Sequence, residues 1–164
     1  MAIEIERKFL VRHLPDLEGV IGQPMSQGYL RADASGSVRL RISGESAILN
    51  VKGPTRDGAR LEFEYPVPTA DAREMLAALA VAEPVEKVRY RIEHEGYLWE
   101  LDVFGGRNHG LVIAEVELDA ATDDPPLPEW VGREVTDDPR YYNAYLSRNP
   151  YDGWSQRAGG ESDR

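Results

Sequence analysis

Hydrophobic and polar residues alternate along much of the chain. Between residues 3 and 12, apolar side chains fall mostly at odd positions and charged ones mostly at even positions. Successive side chains of a strand point to opposite faces, so this period of two predicts a β-strand. Bounded runs of the same kind predict further strands at residues 26–31, 38–43, 47–52, 60–67, 85–92, 97–104 and 111–118. The chain is therefore predicted to be mainly β, with about eight strands.

Helical spacing interrupts this pattern. Residues 69–80 carry apolar side chains at helical intervals, behind Thr69 or Asp71, either of which can cap a first turn. A Pro-rich loop precedes a short predicted helix near 129–132, and a last helix is predicted at 140–148. Because the connections are short and rich in glycine, neighbouring strands are expected to be antiparallel, and eight antiparallel strands can close into a barrel.

The two faces of the predicted strands differ in kind. One face is apolar, whereas the other carries charged residues of both signs. In a sandwich or open sheet, the apolar face would be the core and water would cover the charges. In a closed barrel, the charges would line the interior and helices would cover the apolar outer face. The helices favour the barrel modestly, since they need an apolar sheet surface to dock on, but periodicity alone leaves both arrangements open.

Composition narrows the class of protein. The length of 164 residues predicts one domain, which we place at residues 1–150. The net charge of −10 disfavours general nucleic-acid binding. Residues 151–164, rich in Gly, Ser and charge, are predicted to be a flexible tail. Cysteine is absent, which excludes disulfides and thiol chemistry. No signal peptide or membrane-spanning run is recognisable, so a cytoplasmic protein with no membrane or nucleic-acid partner is expected.

The ionic face has a chemical logic when its residues are considered together. Arginine and lysine bind phosphate oxygens, whereas clustered carboxylates would repel a polyphosphate unless a hard divalent cation lay between them. The combination therefore indicates a polyphosphate or nucleotide bound with Mg²⁺ or Mn²⁺. The cations of this face are Lys8, Arg39, Arg41, Lys52, Lys87 and Arg89. Its carboxylates are Glu4, Glu6, Glu62, Glu64, Asp102, Glu115 and Glu117. Each pair taken alone is more typical of a solvated surface.

Ordered motifs connect this pattern with a known family. The N-terminal Glu-x-Glu-x-Lys, formed by Glu4, Glu6 and Lys8, resembles the signature of the CYTH superfamily, the triphosphate tunnel metalloenzymes. Further segments resemble its short bacterial members: QGYL at 27–30, VRLRI at 38–42, VEKVRYRI at 85–92, WELDVFGG at 99–106, AEVEL at 114–118 and REVTDDPRYYNAYL at 133–146. The resemblance covers nearly the whole chain apart from the tail.

The resemblance implies a fold and roles for the residues. The implied fold is an eight-stranded antiparallel closed barrel, a charged tunnel with helices packed on the outside. The cations of the ionic face would hold phosphates. Glu4, Glu6, Glu115 and Glu117 would bind one or two metal ions, helped by Asp102, Glu62 and Glu64. The chain departs from the family at Asn50, where threonine is common, and at residues 138–143, where lysines are frequent.

Family members act on different triphosphates, so several activities follow from the resemblance. The leading expectation is hydrolysis of inorganic tripolyphosphate to pyrophosphate and phosphate by a monomer or homodimer. The alternatives are a class IV adenylyl cyclase, a thiamine triphosphatase and a non-catalytic polyphosphate-binding module. Lys87 is expected either to act as an acid–base residue, with Tyr29 as a partner, or to hold phosphate only. A lysine among other cations has a lowered pKa, which favours proton transfer near neutral pH.

Overall fold

A computed structural model describes residues 3–154 of the chain. The strands are β1 (Ile3–Val11), β2 (Gln23–Asp33), β3 (Gly36–Ser43), β4 (Ser46–Lys52), β5 (Ala59–Val67), β6 (Val85–His94), β7 (Tyr97–Phe104), β8 (Val112–Glu117) and β9 (Val131–Glu134). The α-helices are α1 (Thr69–Leu79) and α2 (Asn143–Arg148). Single turns of 3₁₀ helix occur at Gly106–Asn108, Pro139–Tyr141 and Tyr151–Gly153.

The first eight strands close into a barrel, which confirms the predicted fold. The strand order is β5-β4-β3-β2-β6-β7-β8-β1-β9, and a further pairing of β5 with β1 closes the ring. Every pairing is antiparallel. In the closing pair, Ile3 lies opposite Leu61 and Glu4 opposite Arg60. β9 pairs with the C-terminal half of β1, beyond the closing pair.

The apolar face of the strands forms the outer layer of the barrel, as the tunnel arrangement requires. On β1, β7 and β8 it builds a cluster around Phe9, Trp99 and Val116, which Trp130 and Val131 cover from outside the ring. The ring of Trp99 lies 5.6 Å from that of Phe9 and 6.1 Å from that of Trp130. This burial removes apolar area from water and leaves the charged face turned inward.

Helix α1 covers the opposite part of the barrel. Ala72, Met75 and Leu76 pack on Leu40 and its neighbours from β2, β3 and β4. Gly28 permits this approach, because a Cβ atom there would lie 2.5 Å from the Leu76 Cδ2 atom. The helix begins at Thr69 with no side-chain cap, so the capping prediction was wrong. Its position is set by packing on the strands, and the Thr69 hydroxyl instead donates to the Glu45 carbonyl at 2.5 Å.

The region after β8 differs from its prediction. Residues 131–134 form strand β9 where a short helix was predicted at 129–132, because β1 offers an unpaired edge there. The last predicted helix, 140–148, is divided: Tyr142 is extended between the 3₁₀ turn at Pro139–Tyr141 and α2. Both pieces of the segment are helical, but one extended residue separates them.

The C-terminal segment packs against one end of the barrel and not on its outer wall. Leu146 and Tyr151 join a buried cluster with Leu10, Phe104 and Ile113. Those three strand residues lie in register with the inward face, since Leu10 is opposite Ile113 and Phe104 opposite Lys87. The segment therefore covers one end of the interior with apolar side chains. Within residues 3–154, no helix is both long and apolar enough to cross a membrane.

The flexible tail was predicted to begin at residue 151, but Tyr151 and Trp154 are packed against the rest of the protein. Tyr151 is buried, and the ring of Trp154 lies 5.1 Å from that of Tyr151 and 5.4 Å from that of Tyr141. Composition concealed this packing, because two aromatic residues stand among small and charged ones. The rest of the predicted tail, 155–164, lies outside the described residues.

Candidate active site

A cavity of about 860 Å³ occupies the interior of the barrel. All but two of the predicted site residues line it: Glu4, Glu6, Lys8, Tyr29, Arg39, Arg41, Lys52, Glu62, Glu64, Arg89, Glu115 and Glu117. The two exceptions are Lys87 and Asp102, which are buried and do not line the cavity. Closure of the barrel thus brings together charges that are up to 113 positions apart in the chain, from Glu4 to Glu117.

Several lining residues were not among the predicted ones. Arg60, Arg91 and Glu100 stand on the same strand faces as predicted residues, so the alternation itself contains the signal for them. Tyr142 and Asn143 line the cavity from the non-strand segment after β9, where no period exists to find them. Arg140, in the segment where family members often carry lysines, bonds Asp138 at 2.7 Å and is not part of the lining.

Strand register explains how most of the cations are compensated. Residues directly opposite each other in an antiparallel pair point to the same face, with Cβ atoms about 4.5–5.5 Å apart. Each of the following cations lies directly opposite a carboxylate: Lys8 opposite Glu115, Lys52 opposite Glu62, Arg60 opposite Glu4, Arg89 opposite Asp102, and Arg91 opposite Glu100. We call these residues the paired cations.

Ion pairs form between directly opposite residues and also from β4 to β1, past the intervening strand β5. The Lys52 Nζ atom lies 2.7 Å from a carboxylate oxygen of Glu4 and 3.3 Å from one of Glu62. The Lys8 Nζ atom lies 3.2 Å from Glu115. Burial opposes ionisation of Glu4, but attraction to Lys52 outweighs it and lowers the pKa of Glu4 to about 2. Glu4 is therefore a carboxylate at neutral pH.

Other carboxylates of the cavity are crowded. Burial, followed by repulsion from Glu115 and Glu4, raises the pKa of Glu6 to about 8. Glu6 lies directly opposite Glu117, whose pKa is also raised, by burial and by repulsion from Glu4. Negative charge is thus in excess at this part of the wall, and an added cation would relieve the repulsion.

The carboxylates fit a hard divalent cation by donor type. Glu4, Glu6, Glu115 and Glu117 offer oxygen atoms only, which Mg²⁺ and Mn²⁺ prefer. As the side chains of residues 3–154 stand, no three acidic, histidine or cysteine groups are gathered closely enough to hold a metal ion. Glu4 and Glu115 are instead held by lysines, so coordination by this set would require those ion pairs to open.

Lys87, Asp102 and Arg89 form a buried network, of which Arg89 lines the cavity. The Asp102 carboxylate accepts from the Lys87 Nζ atom at 2.6 Å and from the Arg89 Nε atom at 2.7 Å. Burial lowers the pKa of Lys87 to about 8, helped by Arg89 and opposed by Asp102. Burial raises the pKa of Asp102, but Lys87 and Arg89 outweigh it and lower the pKa below its usual value. Asp102 is thus a shared anion for two buried cations.

A barrel closed on itself, with both signs of charge lining its interior, defines a class of protein that binds a polyanion inside a tunnel. The CYTH domain family model matches residues 2–142, and the chain belongs to this family. The family resemblance predicted from the sequence motifs is therefore confirmed.

Similar proteins span nearly the same length. The chain is 42% identical over 156 residues to an inorganic triphosphatase of Acetivibrio thermocellus, which covers 95% of this chain and 100% of that protein. It is 40% identical over 150 residues to an inorganic triphosphatase of Nitrosomonas europaea, at 88% and 96% coverage. The crystal structure of an inorganic triphosphatase matches with a TM-score of 0.62 and 37% identity, over 87% of this chain and 96% of that one.

Proposed function

We propose that this protein hydrolyses inorganic tripolyphosphate to pyrophosphate and phosphate inside the tunnel, with Mg²⁺ or Mn²⁺ as its metal ion. The observation that supports this most directly is the lining of one cavity inside the barrel with cations and carboxylates together. Two relatives named inorganic triphosphatases, at 42% and 40% identity along nearly their whole length, favour the same substrate.

The roles of the residues follow from their charges. Lys8, Arg39, Arg41, Lys52 and Arg89 would bind the phosphate oxygens and stabilise the pyrophosphate that leaves. Glu4, Glu6, Glu115 and Glu117 would hold the metal ion, with Glu62 and Glu64 nearby. When bound, the metal ion neutralises charge on the transferring phosphoryl group. Asp102 does not line the cavity. We therefore propose that it positions Lys87 and Arg89 and does not bind the metal ion.

Hydrolysis of tripolyphosphate also requires a proton transfer. Water attacks the terminal phosphorus, the bond to the bridging oxygen breaks, and the proton of the water must be taken up. Lys87 has a pKa suited to a base, but its amino group bonds Asp102 and would have to turn toward the cavity. Tyr29 already lines the cavity, directly opposite Arg39. We keep Lys87 as the base and Tyr29 as its partner.

Phosphate release from tripolyphosphate tests the proposal, measured with Mg²⁺, with Mn²⁺ and with EDTA. Metal-dependent release in wild type, lost in Glu115→Gln and kept in Glu74→Gln on exposed α1, is the expected result. ATP and thiamine triphosphate serve as competing substrates. Three outcomes would overturn the proposal. Formation of cyclic AMP from ATP would indicate an adenylyl cyclase, and faster phosphate release from thiamine triphosphate would indicate a thiamine triphosphatase. Binding of tripolyphosphate without any release would indicate a non-catalytic binding module.

The remaining expectations belong to the same proposal. We expect a small-molecule triphosphate as the partner, a cytoplasmic location, and a monomer or homodimer. Binding to nucleic acid or to membranes is not expected, because the net charge of −10 disfavours anionic surfaces.

A further inference from the structure

Two arginines of β3 differ from the paired cations in how their charge is compensated. Arg39 is buried, yet within residues 3–154 it has no ion pair, and its Nε atom has no hydrogen-bond partner. The guanidinium group of Arg41 lies 3.9 Å from a carboxylate oxygen of Glu64. Burial, then repulsion from Arg39 and Arg89, lowers the pKa of Arg41. An uncompensated buried charge is costly, so a binding function is its usual reason.

Strand register places these two arginines between neutral side chains. Arg39 stands between Tyr29 and Asn50, and Arg41 stands between Gln27 and Ile48. Every flanking side chain is neutral, whereas each of the paired cations lies opposite a carboxylate. We call Arg39 and Arg41 the neutral-flanked arginines.

The two amides among these neighbours are the informative ones. Asparagine and glutamine have the shapes of aspartate and glutamate without their charge, and carboxylates occupy comparable positions on the rest of the wall. Gln27 is fully buried, and neither its Oε1 nor its Nε2 atom has a partner. The Oδ1 atom of Asn50 is also unpartnered, while its Nδ2 atom donates to Glu62 and Glu64 at 2.9 and 3.0 Å.

We propose that Gln27 and Asn50 are positioning residues that keep the places directly opposite Arg41 and Arg39 free of carboxylates, so that these arginines bind the triphosphate before any metal ion is present. The inference rests on the proposed function only in taking a triphosphate as the anion. The paired cations must release a directly opposite carboxylate before they bind phosphate, whereas Arg39 needs no such exchange and Arg41 releases only its contact with Glu64 at 3.9 Å. The first contact of the anion therefore falls on β3.

Charge at position 27 provides the sharpest test. Gln27→Glu adds a carboxylate directly opposite Arg41 at nearly unchanged volume, and Gln27→Met is the neutral control. Isothermal titration with tripolyphosphate in EDTA measures the metal-free affinity. We expect about a tenfold weaker affinity for Gln27→Glu, equivalent to about 1.4 kcal/mol, and little change for Gln27→Met. Equal affinities of the two variants would overturn the proposal.

Position 50 gives an independent pair of variants if a change at position 27 disturbs folding. Asn50→Asp adds charge opposite Arg39, and Asn50→Ser is its neutral control. Both lose the amide that donates to Glu62 and Glu64, so their difference isolates the charge. A merely structural role predicts the same loss for both. With metal present, we expect Asn50→Asp to raise KM more than it lowers kcat relative to Asn50→Ser.

Two outcomes separate this inference from the proposed function. Hydrolysis by wild type without any metal-free binding of tripolyphosphate would keep the function and overturn the inference. Metal-free binding that weakens in Gln27→Glu but not in Gln27→Met, together with no hydrolysis of tripolyphosphate, would support the inference and overturn the function.

Discussion

The paired cations and the neutral-flanked arginines share one tunnel but differ in how their charge is balanced. Lys8 and Lys52 bond carboxylates at 3.2 and 2.7 Å, and Arg89 bonds Asp102 at 2.7 Å. Arg39 has no such contact within residues 3–154. A buried charge that is paired contributes to a defined structure, whereas a buried charge without a partner destabilises the protein until an anion arrives. The difference therefore separates cations that stabilise the folded barrel from cations that are available to bind the ligand.

The strongest test breaks the paired side of the comparison. Asp102→Asn removes the shared anion of Lys87 and Arg89 and leaves two buried cations close together. We expect the free energy of unfolding to fall by about 3–5 kcal/mol, measured by urea denaturation. Glu74→Gln, at an exposed position of α1, should change it by less than about 0.5 kcal/mol. A loss below about 1 kcal/mol in Asp102→Asn would show that this network contributes little.

The second test sets one member of each group against the other. Arg39→Met removes a buried charge without a partner, so the unfolding free energy should stay the same or rise by about 1–2 kcal/mol, while kcat/KM for tripolyphosphate should fall about a hundredfold or more. Lys52→Met leaves Glu4 and Glu62 without their partner and should lower both quantities. Equal destabilisation by the two variants, in thermal melts with EDTA, would abolish the distinction.

The sequence predicted this contrast only in part. Alternation placed Glu4, Lys8 and Arg39 on the charged face of their strands, because side chains alternate with a period of two whether that face meets water or a cavity. It did not decide between solvent and tunnel, which depends on the β1–β5 pairing that closes the ring. The division into paired and unpaired cations depends on register between strands, such as Asn50 opposite Arg39, and a single-strand pattern contains no register.

The end of the chain was harder to predict for a different reason. Tyr151 and Trp154 are isolated aromatic residues in a polar stretch, so no period revealed that they pack on Tyr141. Lys87 and Asp102 have the same parity as the cavity residues, but both are buried, bond each other and do not line the cavity. Side-chain contacts of this kind appear only in three dimensions.

The third test uses pH on the crowded carboxylates. The pKa of Glu6 is about 8 in the folded protein and 4.5 as a reference for the unfolded chain, so the folded state binds more protons between these values. Stability from this group is present below about pH 4.5 and is lost as pH rises toward 8. Glu6→Gln should therefore gain thermal stability over wild type as pH rises through this window, in EDTA. A difference that is independent of pH would contradict the raised pKa.

The smallest expected effect concerns Glu64 and the neutral-flanked arginine nearest to it, Arg41. Glu64 supplies the carboxylate nearest to Arg41, at 3.9 Å, and its side chain is 43% exposed. Glu64→Gln should leave Arg41 freer and tighten metal-free tripolyphosphate binding about twofold, because such partly exposed pairs contribute less than about 1 kcal/mol. The glutamine can still accept from Asn50, so the unfolding free energy should stay within about 0.5 kcal/mol. Titration calorimetry in EDTA measures the affinity, with Glu74→Gln as control. Weaker binding in Glu64→Gln would mean that Glu64 orients Arg41 for the anion, and Arg41 would then belong with the paired cations.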